Sequence, residues 1–193
     1  MRVLRAEAYQ TVPWKNGGGV TREVALHRDD AVHSEFLWRV SIATVAQDGP
    51  FSRFDGIDRS IAMLSGAGMR LEGEEGAAPV LLLPESAPYA FPGEAAIHAV
   101  LVDGVTTDLN LMTRRAFFRH DMQRFPVEGS ASFRVDCDEM LLLATSPVTI
   151  HHAGERVVAG ALDCIADLTP GEAVCLTADK PAEIFILRLW QRS

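Results

Sequence analysis

Apolar residues in this chain recur at every second position in short runs, which confines it to strands for most of its length. Over Phe36 to Ala43, the side chains of Phe36, Trp38, Val40 and Ile42 share one face and Arg39 and Ser41 the other. Further runs, at Ser60 to Leu64, Val80 to Leu83, Ile97 to Val102, Ser132 to Cys137, Met140 to Leu143, Val148 to His151 and Glu183 to Trp190, are separated by Gly, Pro, Asp and Ser. Such a series predicts an all-β antiparallel sandwich or barrel. Helix is scarce. Asp108 to Phe118 could open on an N-cap at Thr107 or Asp108, and an extended reading of Thr107 to Met112 stands equally beside it.

An internal repeat sharpens the architecture. Pro92-Gly93-Glu94-Ala95 recurs as Pro170-Gly171-Glu172-Ala173, and Ile61-Ala62-Met63-Leu64 aligns with Met140-Leu141-Leu142-Leu143 at nearly the same offset. The expected fold is two jelly-roll barrels arising from duplication, residues 1–115 and 116–193, packed as one compact unit. The join falls in the charged stretch Arg114 to Pro126.

Charge narrows the function classes. Eighteen Lys and Arg face 26 Asp and Glu, for a net charge of −8, so attraction to nucleic acid or an anionic membrane is not expected. Only Lys15 and Lys180 are ammonium groups, which makes any cationic site predominantly guanidinium, suited to planar acids. The N-terminal ten residues carry charges where a leader would be apolar, and no membrane span is found, so a cytoplasmic protein is expected. Cys137, Cys164 and Cys175 form no CxxC pair and read as reduced, buried residues.

Pro13-Trp14-Lys15-Asn16-Gly17-Gly18-Gly19-Val20-Thr21-Arg22-Glu23 is the least ordinary stretch. Three glycines permit positive φ and close approach of another chain or a ligand. The plain alternative is a turn anchored by Trp14. A phosphate-cradling loop is excluded, because no Lys-Ser or Lys-Thr follows the glycines.

Three segments, PWKNGGGVTRE at 13–23, FLWRVSIATVAQDGPFSRFDGIDR at 36–59 and LVDGVTTDLNLMTRR at 101–115, resemble the motifs of the HutD/Ves family. The resemblance implies a bicupin fold and a bacterial protein associated with histidine utilisation or stress response, with no established catalytic activity. The chain departs from the family at Asp55, where relatives tend to carry Pro.

Cupins that bind a metal do so through His-x-His, a carboxylate and a later His. His151 and His152 are adjacent and so face opposite ways on a strand, and His98 lacks upstream partners. No metal and no cofactor are expected, and structural or surface roles are assigned to His27, His33, His98, His120, His151 and His152.

Strand parity instead groups Arg39 with Ser41 and Asp108 with Asn110. With Lys15, Asn16, Arg22 and Arg114 they form a candidate pocket for a small anion, in which a bidentate Arg-carboxylate contact contributes roughly 1.5–3 kcal/mol. The structural alternative is an ion-pair network through Arg22, Arg39, Asp108 and Arg114, with Asp58-Arg59 as a turn pair. No catalytic residue is assigned. The expected function is a metal-free module that binds a small anionic metabolite of the urocanate or formylglutamate class, regulatory or accessory in histidine utilisation. Two alternatives remain: a metal-independent enzyme acting on a small carboxylic acid, and a homodimeric interaction protein using the glycine-rich segment.

Overall fold

The computed structural model describes residues 1–29, 36–74, 76 and 78–192. Short β1 (Arg2–Leu4) and a 3-10 turn (Ala6–Ala8) precede β2 (Gln10–Pro13), β3 (Gly19–His27), β4 (Trp38–Val45), β5 (Gly49–Pro50) and β6 (Ile57–Ser65). There follow β7 (Met69–Glu72), β8 (Val80–Leu82), β9 (Tyr89–Pro92), β10 (His98–Leu101) and β11 (Thr106–Arg114). The later strands are β12 (Phe118–Val127), β13 (Ser130–Arg134), β14 (Glu139–Ala144), β15 (Val148–His152), β16 (Glu155–Ala159), β17 (Cys164–Ala166), β18 (Ala173–Thr177) and β19 (Ala182–Gln191). The extended reading of Thr107 to Met112 is the observed one. No helix among the described residues is long and apolar enough to cross a membrane.

The chain divides into Gln10–Phe118 and a second unit made of Met1–Tyr9 with Arg119–Ser193. In the first, a sheet of order β2-β3-β4-β11-β6-β9 faces one of order β5-β10-β7-β8. In the second, β1-β17-β14-β19-β12 faces β13-β18-β15-β16. The order β4-β11-β6-β9 with β5-β10-β7-β8 returns as β12-β19-β14-β17 with β13-β18-β15-β16, every strand number raised by eight, as duplication predicts. Each pair of sheets is a packed sandwich and not a closed barrel. Ala43, Val45, Ile61 and Met63 meet Met69, Leu71, Leu82 and Ala99 in the first core, while Met140, Leu142, Ile184 and Ile186 meet Val148, Ile150, Val174 and Leu176 in the second.

The repeated Pro-Gly-Glu-Ala segments occupy the corresponding turns, β9 to β10 and β17 to β18. Gly93 N–H donates to Ile57 O at 2.7 Å, and Gly171 N–H donates to Val135 O at 2.8 Å, so each turn is pinned to the chain at or just before the start of the matching strand, β6 or β14.

Two boundaries differ from the sequence reading. The stretch expected to join the halves, Arg114 to Pro126, is mostly strand β12. Its Phe118 and Met122 are buried among exposed charged positions, and as a sheet edge it tolerates Pro126. The first nine residues, expected in the N-terminal half, belong to the other unit because β1 pairs antiparallel with β17, Arg2 opposite Ala166. Asp163 fastens that segment, accepting from Ala6 N–H at 2.9 Å, Arg5 Nη1 at 2.7 Å and Gly160 N–H at 2.9 Å. Burial alone would push the Asp163 carboxyl up, but these donors outweigh it and hold it below its ordinary range.

Cys137 and Cys164 are buried, whereas Cys175 is exposed. It sits out of phase with Val174 and Leu176 on β18, so its side chain takes the outer face. His33 lies outside the described residues.

Asp163→Ala is expected to lower stability by about 2–4 kcal/mol, because two backbone N–H groups lose their acceptor. Arg5→Ala, removing a half-exposed partner, is expected to cost about 0–1 kcal/mol. Urea denaturation of both variants checks the ranking. The contribution of Asp163 is present above its unfolded pKa, near 3.8, and disappears as the pH falls through the lower folded value.

Candidate functional site

The polar residues of the first sandwich sit in phase with its core. On β4, Arg39 and Ser41 precede Ala43 and Val45. On β11, Asp108 and Asn110 precede Met112, and on β6 Arg59 precedes Ile61 and Met63. Register places Met112 between Arg39 and Arg59, Asn110 between Ser41 and Ile61, and Asp108 between Ala43 and Met63. These side chains floor a cavity of about 500 Å³, walled by Trp14, Phe51 and Phe54 and rimmed by Lys15 and Asn16. A bulge lies beside Asp108, where Thr107 pairs with Ser65 and Asp108 with Met63, leaving Leu64 as the extra residue.

A hydrogen-bonded chain crosses this floor. Arg59 Nη2 donates to Asn110 Oδ1 at 2.8 Å, and Asn110 Nδ2 donates to Asp108 Oδ1, which fixes the amide orientation at both ends. The Arg59 guanidinium lies 4.9 to 5.7 Å from the ring centres of Phe51, Phe54 and Phe91. Burial lowers its pKa to about 10, with Asp108 opposing the shift and Arg39 adding to it. Burial pushes the Asp108 carboxyl up to about 7, against the pull of Arg59 and the Asn110 hydrogen bond. Arg39 Nε stands 3.5 Å from Glu23 Oε2, and the Nε atoms of both Arg39 and Arg59 are buried with no hydrogen-bond acceptor.

The glycine run builds the rim. Gly17 has φ of +71°, and its N–H donates to Trp14 O at 3.0 Å to close the β2–β3 turn. At Gly19 a Cβ would stand 2.3 Å from Thr44 O and 3.1 Å from the Trp14 ring, so only glycine lets β3 pass between them. Trp14 Nε1 donates to Thr21 Oγ1 at 2.8 Å and holds the indole against the cavity.

Of the residues chosen from the sequence, Lys15, Asn16, Arg39, Ser41, Asp108 and Asn110 come together on the lining. Arg22 does not. Its neighbour Thr21 lines the cavity, so Arg22 points to the other face of β3. Arg114 shares the phase of Met112 but ends β11 beside Gly56, outside the lining. Arg59 was read as a turn partner of Asp58, yet Asp58 pairs with Arg115 at 2.7 Å and Arg59 is buried. The signal was its phase: Arg59 falls in step with Ile57, Ile61 and Met63. Arg115 also reaches Glu94 at 3.0 Å, and this ion pair, with the Gly56 N–H, holds the Glu94 carboxyl down at about 2.

The lining does not suit a cupin-type metal. Two guanidinium groups and an ammonium repel a cation, one carboxylate remains, and no imidazole joins it. His152, which does enter an interior, is committed elsewhere. Its Nε2 accepts from Thr169 N–H at 2.8 Å, so the proton sits on Nδ1 and is donated to Ala173 O at 3.0 Å. Among the described residues no three His, Cys, Asp or Glu side chains gather as metal ligands.

In the second sandwich Met140, Leu142 and Ala144 on β14, with Ile184 and Ile186 on β19, belong to the apolar core, while Arg188, in phase with Ile186, holds Asp136, Asp121 and Gln123.

Gly19→Ala is expected to destabilise the chain by more than about 2 kcal/mol, against roughly 1–2 kcal/mol for the strained but open Gly17→Ala. Chemical denaturation distinguishes the two. Because the folded Asp108 pKa is raised, its contribution to stability is complete below about 3.8 and is lost as the pH rises through about 7. Asp108→Asn should therefore raise ligand-free stability at pH 8 relative to the parent and lose that advantage at pH 4, as read by thermal melts.

Comparison with known proteins places this architecture. An uncharacterized 21.2 kDa protein of the hutC 3′ region of Pseudomonas putida is 36% identical over 167 residues, 86% of this chain and 85% of that one. Protein Ves of Citrobacter koseri is 40% identical over 103 residues, about half of each chain. Two solved structures match over 100% of this chain and 99% of their own: a conserved protein of unknown function from Pseudomonas aeruginosa PAO1, at 35% identity and TM-score 0.88, and HutD from Pseudomonas fluorescens SBW25 in a formate condition, at 32% and 0.83. Bacillus subtilis oxalate decarboxylase, at 8% identity and TM-score 0.65, shares the fold alone and marks it as a bicupin. With the HutD family model matching residues 6–186, the chain belongs to the HutD family.

Proposed function

We propose that the chain is a cytoplasmic accessory or regulatory protein of histidine utilisation that binds a small carboxylate metabolite in the cavity of its first sandwich. The observation that carries this reading is the pair of arginines, Arg39 and Arg59, that line an aromatic-walled cavity together with Lys15. Family membership and the hutC-region relative point to acids formed during histidine breakdown, of the urocanate or formylglutamate class. Trp14, Phe51 and Phe54 supply flat apolar walls for the body of such a molecule, and Ser41 and Asn110 supply polar groups that orient it.

One observation favours a second reading. Asp108 is a carboxyl on the lining whose pKa is pushed up to about 7, the range in which a general acid or base works best. An enzyme acting on the same acid without a metal would use it.

A thermal-shift screen against urocanate, N-formylglutamate, glutamate and unrelated dicarboxylates tests the binding reading. A ligand at about 100 times its Kd adds about 2.7 kcal/mol and raises the midpoint by several degrees. Arg39→Ala is expected to abolish that shift while moving the ligand-free midpoint little, since its one ion pair is partly exposed. No shift with any acid would reject the reading. Consumption of the bound acid, lost in Asp108→Asn, would favour the enzyme.

A further inference from the structure

Asp108 lies on the floor of a cavity whose other charged lining groups are cations: Arg39 from β4, Arg59 from β6 and Lys15 from the β2–β3 turn, with Glu23 of β3 facing Arg39 from outside the lining. No histidine shares the space. Asn110 occupies Asp108 Oδ1, and among the described residues no protein group hydrogen-bonds to Oδ2 or makes an ion pair with the carboxylate. The nearer guanidinium is tied instead to Asn110 and to Ser52 O.

Only the side chain of Asn110 separates Arg59 from Asp108 on the cavity floor, so an anion held by Arg59 stands close to the Asp108 carboxyl. Two carboxylates that close, away from bulk water, do not both stay ionised. We propose that the site fills with a carboxylate and one proton together: Asp108 takes a proton from solvent on Oδ2, and the resulting O–H faces the bound acid as a hydrogen-bond donor. The ligand remains an anion on the arginines, Asp108 becomes neutral, and no other bond is made or broken.

This rests on the reading of the cavity as a carboxylate site and adds how that site is regulated. The elevated Asp108 pKa, about 7 before any ligand enters, puts the uptake within reach of small pH changes. If only the protonated form accepts the anion, the apparent Kd scales as the inverse of the protonated fraction, and binding weakens by about tenfold from pH 6 to pH 8.

Isothermal titration calorimetry with N-formylglutamate, at pH 6, 7 and 8 in pairs of buffers differing in ionisation enthalpy, reads both quantities on the unmodified chain. The expected result is tenfold weakening across the range, with proton uptake approaching one per ligand at pH 8 and falling toward zero at pH 6. Asp108→Asn, whose amide is neutral at every pH, should bind with a flat profile and no uptake. Binding by the parent chain with a flat profile, or tighter binding as the pH rises, overturns the proposal and leaves the carboxylate site standing. Absence of heat with N-formylglutamate and urocanate at all three pH values overturns both. If the variant does not fold, the proton count of the parent chain decides alone.

Discussion

A guanidinium removed from water among three phenylalanine rings governs how the first sandwich is built. Arg59 could not remain charged there without acceptors, and it obtains them from Ser52 O and Asn110. Asn110 is in turn oriented by the need to return a donor to Asp108. One buried charge therefore dictates an amide on the next strand and a carboxyl two residues along it. The three polar groups hold each other in place across the sheet, and their mutual satisfaction keeps an open, polar floor where a sandwich would otherwise close on aliphatic side chains.

The second sandwich is what such closure looks like. Its strands follow the same order, yet Met140, Ile186 and Ile184 face inward where the first places Arg59, Asn110 and Asp108, and its own inward arginine, Arg188, is tied to Asp121, Gln123 and Asp136. Duplication supplied two equivalent frames. In the second, aliphatic side chains take positions that in the first are polar and line a cavity. The glycine run belongs to the first frame's cavity, since Gly19 lets β3 pass close to both Thr44 and the Trp14 ring that lines it.

Much of this was legible in the sequence because strands expose their faces through parity. Alternation in 36–43 correctly set Arg39 and Ser41 against Trp38 and Val40, and the extended reading of 107–112 put Asp108 with Asn110. Parity also indicated Arg59, in step with Ile57 and Ile61, but its neighbour Asp58 offered a plausible surface partner, and adjacency was mistaken for contact. On a strand, adjacent side chains point apart. Arg22 failed for the mirror-image reason: it lies near the site in sequence and on the wrong face in space. The walls, Phe51 and Phe54, come from an irregular segment where periodicity carries no information. The assignment of the first nine residues was beyond reach for another reason, since strand pairing over such a separation leaves no local mark.

That last feature bears on how the chain is made. Arg2 is made long before Ala166 and pairs only when that residue has followed. The whole of Gln10–Phe118 can assemble from pairings among its own strands before then, while β1 waits as an unsatisfied edge. Completion of the second unit is thus a late, long-range closure, and a ribosome that stalls before Cys164 leaves a chain with Gln10–Phe118 formed and β1 still seeking a mate.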